Sequence, residues 1–141
     1  GSLVSPRSAK EFGVETNGAE ASEQPTSLAL DPGDVPSADA LGLVGDGLWV
    51  SNLWYLNFSD RAGGRITGMT RFACFAVENG RLGAPIAPAR FDDTVYALLS
   101  DALEGISREA ELMPTGDTYF ERKLAGSSTP ALLLREFHVV S

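Results

Sequence analysis

Residues 47–91 read GLWVSNLWYLNFSDRAGGRITGMTRFACFAVENGRLGAPIAPARF, and this stretch decides the fold. It contains both tryptophans of the chain, and its residues 48–58 place apolar side chains on both faces of an extended segment. Such a strand is either covered on both sides or faces a partner. A loop over residues 57–64 and a second strand over residues 65–78 follow it. The stretch therefore predicts a long antiparallel ribbon.

The Asn79-Gly80 pair predicts a type I′ hairpin, because a two-residue loop of this kind needs positive φ at both positions. The expected cross-strand pairs, all on one side of the ribbon, are Val77 with Leu82, Phe75 with Ala84, and Ala73 with Ile86. The other side is expected to carry Phe72, Cys74 and Ala76. Pro85 and Pro88 have no N–H to donate, so the returning strand is predicted to be partly an edge or to contain a bulge.

Outside the ribbon, apolar residues at helical spacing predict one main helix at about residues 93–106, capped by Asp92 or Asp93. Short helices are expected near residues 6–12 and 37–44, and an exposed loop over residues 14–26. Further strands are expected at residues 27–30, 118–120 and 129–140. The three leucines at 132–134 indicate that the last of these is central in its sheet.

These elements predict an α+β, β-rich fold, with a mostly antiparallel sheet or a partly closed barrel. A length of 141 residues fits a single domain over residues 1–141. The net charge of −8 opposes nucleic-acid binding. No apolar run is long enough to span a bilayer, and no signal peptide is evident, so we expect a soluble cytoplasmic protein without a membrane partner.

Few residues offer chemistry of their own. Asp92-Asp93 fits a helix cap better than an acid/base pair, and His138, the only histidine, fits a structural or surface role. Cys74, the only cysteine, is expected to be a buried or half-buried small hydrophobe. One cysteine and one histidine cannot complete a zinc site or a Cys-His pair without carboxylates or another chain. No catalytic residue and no metal ligand is therefore predicted.

Polar side chains within the apolar ribbon are the remaining candidates. Thr67, Thr70 and Arg71 must be satisfied by partners or used by a ligand, and pairing of Arg71 with a carboxylate is the simpler expectation. Four aromatic residues of the first strand can pack in the core or line a pocket or interface, and core packing is the simpler expectation. These four residues are Trp49, Trp54, Tyr55 and Phe58.

Three segments together resemble the C-terminal third of the TldD/PmbA proteins, which also bear the name modulators of DNA gyrase. The segments are SPRSAKEFGVETNGA at residues 5–19, the run from GLWVSNLWYLNF to DDTVYALL at residues 47–99, and LLLREFHV at residues 132–139. The marks within them are Trp54-Tyr55, the run GRITGMTR at residues 64–71, the VENG hairpin at residues 77–80, and RFD at residues 90–92. The likeness covers nearly the whole chain in order.

The resemblance implies a role in a zinc metallopeptidase family that acts in the maturation or degradation of peptides. In that family an HExxxH helix of the preceding domain supplies metal ligands, and a late cysteine supplies another in the TldD-like branch. This chain has no HExxxH, and its loop at residues 124–130 has no cysteine. The resemblance is thus closer to the PmbA-like branch. It implies no cofactor in this chain, any zinc in an upstream domain, and an isolated chain that is inactive.

What the resemblance implies for this chain is a scaffold, a wall of the substrate cleft and dimer contacts. The implied partners are its own upstream protease-like domain, a second subunit in a homodimer or a TldD/PmbA-type heterodimer, and a peptide substrate. The alternative is a non-enzymatic assembly or peptide-binding β-domain with residues 48–58 as its interface. Candidate cleft or interface residues are Arg7, Trp54, Tyr55, Thr70 and Arg71.

Overall fold

The computed structural model of the chain describes residues 3–21, 23, 25, 27–116 and 125–140. It divides into two compact units, Gly1–Asp31 with Glu111–Thr129, and Pro32–Ala110 with Pro130–Ser141. The single domain over residues 1–141 stays a prediction. The strand expected at residues 118–120 lies outside the described residues. No helix of the described part is long and apolar enough to cross a membrane.

The first unit contains the predicted N-terminal helix and a parallel strand pair. Helix α1 spans Pro6–Phe12, with the Ser5 side chain accepting a hydrogen bond from the Ser8 N–H and Gly13 ending the helix at φ 66°. Residues 14–21 form no helix or strand and are mostly exposed. Strand β1 (Ser27–Ala29) pairs in parallel with residues 126–128.

The second unit is built on an antiparallel sheet with the strand order β2-β3-β5-β8. Its strands are β2 (Gly47–Asp60), β3 (Arg65–Glu78), β4 (Arg81–Pro85), which pairs with β3, β5 (Arg90–Thr94) and β8 (Val139–Val140). A 3-10 turn at Ser37–Asp39 leads into helix α2 (Ala40–Val44), as predicted near residues 37–44. The β-rich α+β class is confirmed, and the described strands do not close into a barrel.

Two further strands complete a three-stranded sheet of order β1-β7-β6. They are β6 (Leu103–Pro114) and β7 (Gly126–Leu134). Strand β7 is the middle strand of this sheet, but its pairing with β1 covers only residues 126–128, so the central place predicted for the leucines at 132–134 is not confirmed. The predicted single strand over residues 129–140 is wrong in extent. Residues 135–138 leave the sheet after Leu134, and β8 joins the other sheet beside β5.

The hairpin between β3 and β4 is confirmed, with φ 51° at Asn79 and 73° at Gly80. The pair Val77 and Leu82 is as predicted, but Phe75 faces Pro85 instead of Ala84. The predicted bulge accounts for the shift. Gly83 and Ala84 together oppose Ala76, and beyond the bulge the Ile86 N–H reaches the Cys74 carbonyl at 2.9 Å.

The predicted helix at residues 93–106 is reduced to one turn, α3 (Val95–Leu98), capped by the Thr94 side chain. Asp92 and Asp93 are in strand β5, paired with Thr67 and Ile66 of β3, and cap nothing. Sheet pairing overrides helical periodicity here. The backbone N–H and C=O groups of residues 102–108 form hydrogen bonds with other segments instead of with each other. The Gly33 N–H donates to the Ser107 carbonyl at 2.9 Å, and the Arg108 N–H donates to the Val35 carbonyl at 2.7 Å.

The core of the second unit is small and centres on Phe91, which is fully buried. The Phe91 ring lies 5.0 Å from the ring of Phe137. A Cβ added to Gly68 of β3 would come within 2.8 Å of the Phe91 ring, so the ring packs directly on the Gly68 backbone. Cys74 and Val77 of β3 are also buried, which confirms the prediction for Cys74.

Candidate functional site

Strand β2 is an edge strand with exposed apolar side chains on both of its faces. Its only paired neighbour among the described strands is β3. The core packing expected for its aromatic residues is wrong, because all four are exposed. The same strand exposes two leucines, and the full exposed set is Leu48, Trp49, Trp54, Tyr55, Leu56 and Phe58. Of the two alternatives for this strand, coverage on both sides is not realised within the described residues.

The arginine–aromatic stack is the most organised feature of this surface, and it consists of Tyr55, Trp54, Arg71 and Phe72. The Arg71 guanidinium carbon lies 4.1 Å from the centroid of the Trp54 ring and 4.7 Å from that of the Phe72 ring. Tyr55 meets Trp54 edge to face at 5.2 Å. Each cation–π contact at an exposed site contributes about 0.5–1 kcal/mol. The stack therefore orders one cation on an apolar surface.

Two β-bulges position the outer rings of this stack. On β3, Phe72 and Ala73 together oppose Ser51, and on β2, Tyr55 and Leu56 together oppose Gly68. Phe72 has φ 63° and Tyr55 has φ 53°, so both aromatic residues are in the left-handed region, and both side chains are 69% exposed. The predicted placement of Phe72 on the side of Cys74 is wrong, because the extra residue of the bulge turns its side chain outward.

Local hydrogen bonds hold both bulges. The Arg71 carbonyl accepts from the Ser51 hydroxyl at 3.3 Å and from the Cys74 thiol at 3.4 Å. The Tyr55 carbonyl accepts from the Asn57 side-chain amide at 3.0 Å. A non-glycine residue in this backbone region costs of the order of 1–3 kcal/mol and persists only where its surroundings impose it. The ribbon thus maintains two strained aromatic positions beside one arginine.

The backbone at Tyr55 leads to a stability prediction. We expect Tyr55→Gly to be more stable than Tyr55→Ala by about 1 kcal/mol, because glycine adopts positive φ without the clash of a Cβ. Leu48, on the same strand and in regular pairing with Ala76, is the control. There, alanine should be the more stable replacement by about 0.5–1 kcal/mol. Urea unfolding of the four variants measures both differences, and the same order at both positions would contradict the strain.

Of the residues predicted for the site, the structure brings together Trp54, Tyr55 and Arg71, but not Thr70. Thr70 is buried on β3, and its hydroxyl accepts from the Ala89 N–H at 2.9 Å. Arg7 is exposed in α1 of the first unit. Arg71 has no ion pair with a carboxylate among the described residues, so the expected pairing is replaced by stacking.

Asp93 and His138 form the best-defined polar pair elsewhere in this unit. The buried Asp93 carboxylate contacts His138 Nδ1 at 2.9 Å and accepts from the Thr94 N–H at 2.8 Å. Burial raises the pKa of Asp93, but the hydrogen bonds from His138 and Thr94 outweigh it, so the net shift is downward. The hydrogen bond and charge of Asp93 raise the pKa of the exposed His138. The pair ties residue 138 to β5 and fits the structural role expected for this histidine.

These opposite shifts predict how stability changes with pH. The Asp93 contribution is complete above its unfolded pKa of about 4 and is lost as pH falls through the lower folded pKa. The His138 contribution is complete below its unfolded pKa of about 6.5 and is lost as pH rises through the higher folded pKa. His138→Gln should therefore cost most between about pH 4 and 6.5. Urea unfolding across pH tests this, and a cost that grows above pH 7 would contradict it.

The described residues do not fit a metal centre. They contain no group of three or more His, Cys, Asp or Glu side chains placed to hold an ion. Cys74 is buried and hydrogen-bonded to the backbone, and the Asp92 carboxylate pairs with Arg65. The surface is instead suited to contact with another molecule, because it consists of an exposed apolar edge strand and one guanidinium group stacked on aromatic rings.

The fold and this surface define the chain as a β-rich α+β module with a contact surface on an antiparallel ribbon. The family model described as PmbA/TldA metallopeptidase C-terminal domain matches residues 1–141. The chain therefore belongs to the PmbA/TldA family, as the resemblance to the TldD/PmbA proteins indicated.

Solved structures share this fold. TldE from Thermococcus kodakarensis superposes with a TM-score of 0.73 at 21% identity, over 99% of this chain and 31% of that one. A proposed modulator of a DNA gyrase from Thermotoga maritima superposes with a TM-score of 0.72 at 17% identity, over 98% of this chain and 30% of that one. This chain thus spans about a third of each. No functionally curated protein matches it.

Sequence reasoning missed two residues of the surface. Phe72 was assigned to the wrong side, because nothing in the sequence FACFA marks the bulge. Asn52 went unnoticed, yet it lies directly opposite Arg71, and its side-chain oxygen is buried without a hydrogen-bond partner among the described residues. Its polarity between apolar neighbours was the available signal.

Proposed function

We propose that this chain is the C-terminal domain of a TldD/PmbA-like metallopeptidase that matures or degrades peptides in the cytoplasm. In this proposal it supplies scaffold, a wall of the substrate cleft and contacts in a homodimer or heterodimer, while an upstream protease-like domain supplies any zinc. Family membership over the whole chain supports the peptidase context. The candidate residues for the cleft wall or interface remain Arg7, Trp54, Tyr55, Thr70 and Arg71.

The observation that carries the contact role is the exposure of β2 on both faces. A long edge strand with apolar side chains is a template for association, and proteins normally cover or blunt such an edge. Residues 48–59 contain no charged side chain that would blunt it. We therefore expect β2 to be covered by another domain, a second subunit or a peptide in the complete protein.

The same observation favours a second candidate, a non-enzymatic assembly or peptide-binding β-domain. This role needs the contact surface of β2 but no catalytic machinery upstream. The two candidates differ in the parent protein. An upstream HExxxH motif, bound zinc and peptidase activity belong to the first alone.

The experiment compares the full-length parent with this chain and with two charge variants of the parent. Leu56→Lys introduces a charge on β2, and Leu99→Lys does so at an equally exposed leucine after α3. Zinc content, peptide cleavage and sedimentation velocity are measured. The proposal expects zinc and cleavage in the parent, none in this chain, and weaker cleavage or dimerisation in Leu56→Lys only. Cleavage by this chain alone would contradict it. If the parent protein contains no zinc and cleaves no peptide, the peptidase proposal is contradicted and the peptide-binding or assembly role is the one that remains.

A further inference from the structure

We propose that Arg71, which contacts the rings of Trp54 and Phe72, binds the carboxylate of an acidic side chain in a peptide segment that lies on the ribbon. The inference rests on the proposed role of this surface as a contact for substrate or partner. It adds the chemistry of what is recognised there: an Asp or Glu side chain with apolar neighbours.

Arg71 is the only charged residue in residues 48–59 and 66–77 taken together, within a chain of net charge −8. Among the other arginines of this unit, Arg65 pairs with Asp92 and Arg135 pairs with Glu104, whereas the remaining arginines lie outside the apolar part of the ribbon and have no ion pair among the described residues. Arg71 makes no ion pair with any described residue. A cation on an apolar surface of an acidic protein is complementary to an anionic ligand, and the apolar surroundings strengthen the attraction.

Trp54 and Phe72 occupy positions over the Arg71 group, with 4.1 and 4.7 Å between its central carbon and the two ring centroids. The side-chain N–H donors of Arg71 have no hydrogen-bond partner among the described residues. Two parallel N–H donors match the two oxygens of a carboxylate. The stack also removes side-chain freedom that binding would otherwise cost.

The residue opposite Arg71 favours a peptide over a simple anion as the ligand. Asn52 is the direct cross-strand neighbour of Arg71, and its side-chain oxygen is buried without a donor among the described residues. A buried acceptor without a hydrogen bond lowers the stability of the protein. A peptide offers a backbone N–H to this oxygen, once the Asn52 side chain turns toward it, together with the carboxylate for Arg71. An anion without an N–H or O–H group, such as sulfate or chloride, offers no such donor.

Two strained backbone positions lie beside Arg71. Tyr55 and Phe72, at the two ends of the stack, both have positive φ and both expose their rings. Strained positions of this kind cluster where a ligand or partner is bound. The exposed rings of Tyr55 and Phe72 and the half-exposed Met69 provide an apolar rim, so the acidic side chain should be flanked by apolar residues.

The test measures binding of dye-labelled peptides to the full-length protein by fluorescence anisotropy. Two acetylated and amidated hexapeptides differ only in a central glutamate or glutamine between valines. We expect the glutamate peptide to bind roughly tenfold or more tightly, and added salt to reduce the preference. Arg71→Gln should abolish the preference and Arg71→Lys should reduce it. Arg61→Gln, which removes a single-ring contact with Phe58 on the same ribbon, should leave it unchanged. Asn52→Leu should weaken both peptides.

Equal affinity of the two peptides for the wild-type protein overturns the proposal, as does a preference that survives in a folded Arg71→Gln protein. If Arg71→Gln does not fold, an unchanged preference in Arg71→Lys overturns it. A third peptide, with glutamine and a free C-terminal carboxylate, overturns the side-chain assignment if it alone shows Arg71-dependent binding. Peptide cleavage is measured on the same preparations. If the protein cleaves peptides but does not prefer the glutamate peptide, the proposed peptidase function stands and the proposed role of Arg71 is wrong. If it prefers the glutamate peptide but cleaves nothing, only the peptidase function is contradicted.

Discussion

Replacing Asn79 with proline is expected to lower the free energy of unfolding by about 3 kcal/mol or more. Proline fixes φ near −65°, whereas Asn79 has φ 51° in the hairpin between β3 and β4. The substitution also removes the Asn79 N–H, which donates to the Asp46 carboxylate at 2.9 Å. Both losses fall on the turn that sets the pairing of Val77 with Leu82. This decrease is a large part of the free energy of unfolding of a domain of ordinary stability.

Asn79→Gly is the matched control for this substitution. Glycine adopts the same positive φ and retains the N–H to Asp46, so its effect should stay within about 1 kcal/mol. Urea unfolding followed by circular dichroism measures both variants. If Asn79→Pro unfolds at the wild-type urea concentration, the hairpin contributes nothing to stability, and the assignment of the turn is wrong.

Gly68→Ala is expected to lower the free energy of unfolding by about 1–3 kcal/mol, the usual cost of overpacking a tight site. The added Cβ would lie 2.8 Å from the Phe91 ring and 2.8 Å from the Trp54 carbonyl oxygen. Phe91 is fully buried and has little room to move, and the carbonyl belongs to the paired strand β2. The substitution should also disturb the arginine–aromatic stack, because a shift of the Trp54 backbone moves the Trp54 ring away from Arg71.

The control for this substitution is Gly42→Ala in α2, where an added Cβ meets nothing within 4 Å. The same methyl group should be neutral there or stabilise by up to about 1 kcal/mol, because alanine favours helix more than glycine does. Thermal unfolding gives the two shifts, and Trp fluorescence reports on the stack. A Gly68→Ala protein as stable as the wild type would show that the ring of Phe91 is free to withdraw.

Local turn chemistry made much of the ribbon predictable. Asn79-Gly80 requires a particular backbone, and the sequence alone identified β3 and the hairpin that follows it. The exact pairing beyond Val77 was not predictable, because the bulge at Gly83 and Ala84 depends on where Pro85 can lie without an N–H. The helix expected at residues 93–106 failed for a related reason. Its periodicity is real, but its backbone groups pair with distant segments around Val35.

Three members of the candidate site were predictable, but its remaining members and its form were not. Trp54, Tyr55 and Arg71 could be named, because an arginine and aromatic residues in an apolar ribbon need an explanation. Their stacking depends on two β-bulges, which change the direction of the side chains. The residue type at a single position such as Phe72 does not predict a bulge. Thr70 looked equivalent to Arg71 in the sequence, yet one position along a strand reverses the face. Thr70 is therefore buried and accepts a hydrogen bond from Ala89, whereas the side chain of Arg71 lies on the opposite face of the strand.

The uncharged length of β2 also has a consequence for the chain during synthesis and storage. Residues 47–59 form a neutral, aromatic-rich segment, which is the composition that favours aggregation through edge-to-edge pairing. Asp46 and Asp60 stand at its two ends as gatekeepers, and the excess of acidic residues keeps separate copies apart. Lowering the pH toward the isoelectric point, about 4.5, removes the net charge that keeps copies apart. Copies without a partner for β2 should then precipitate first.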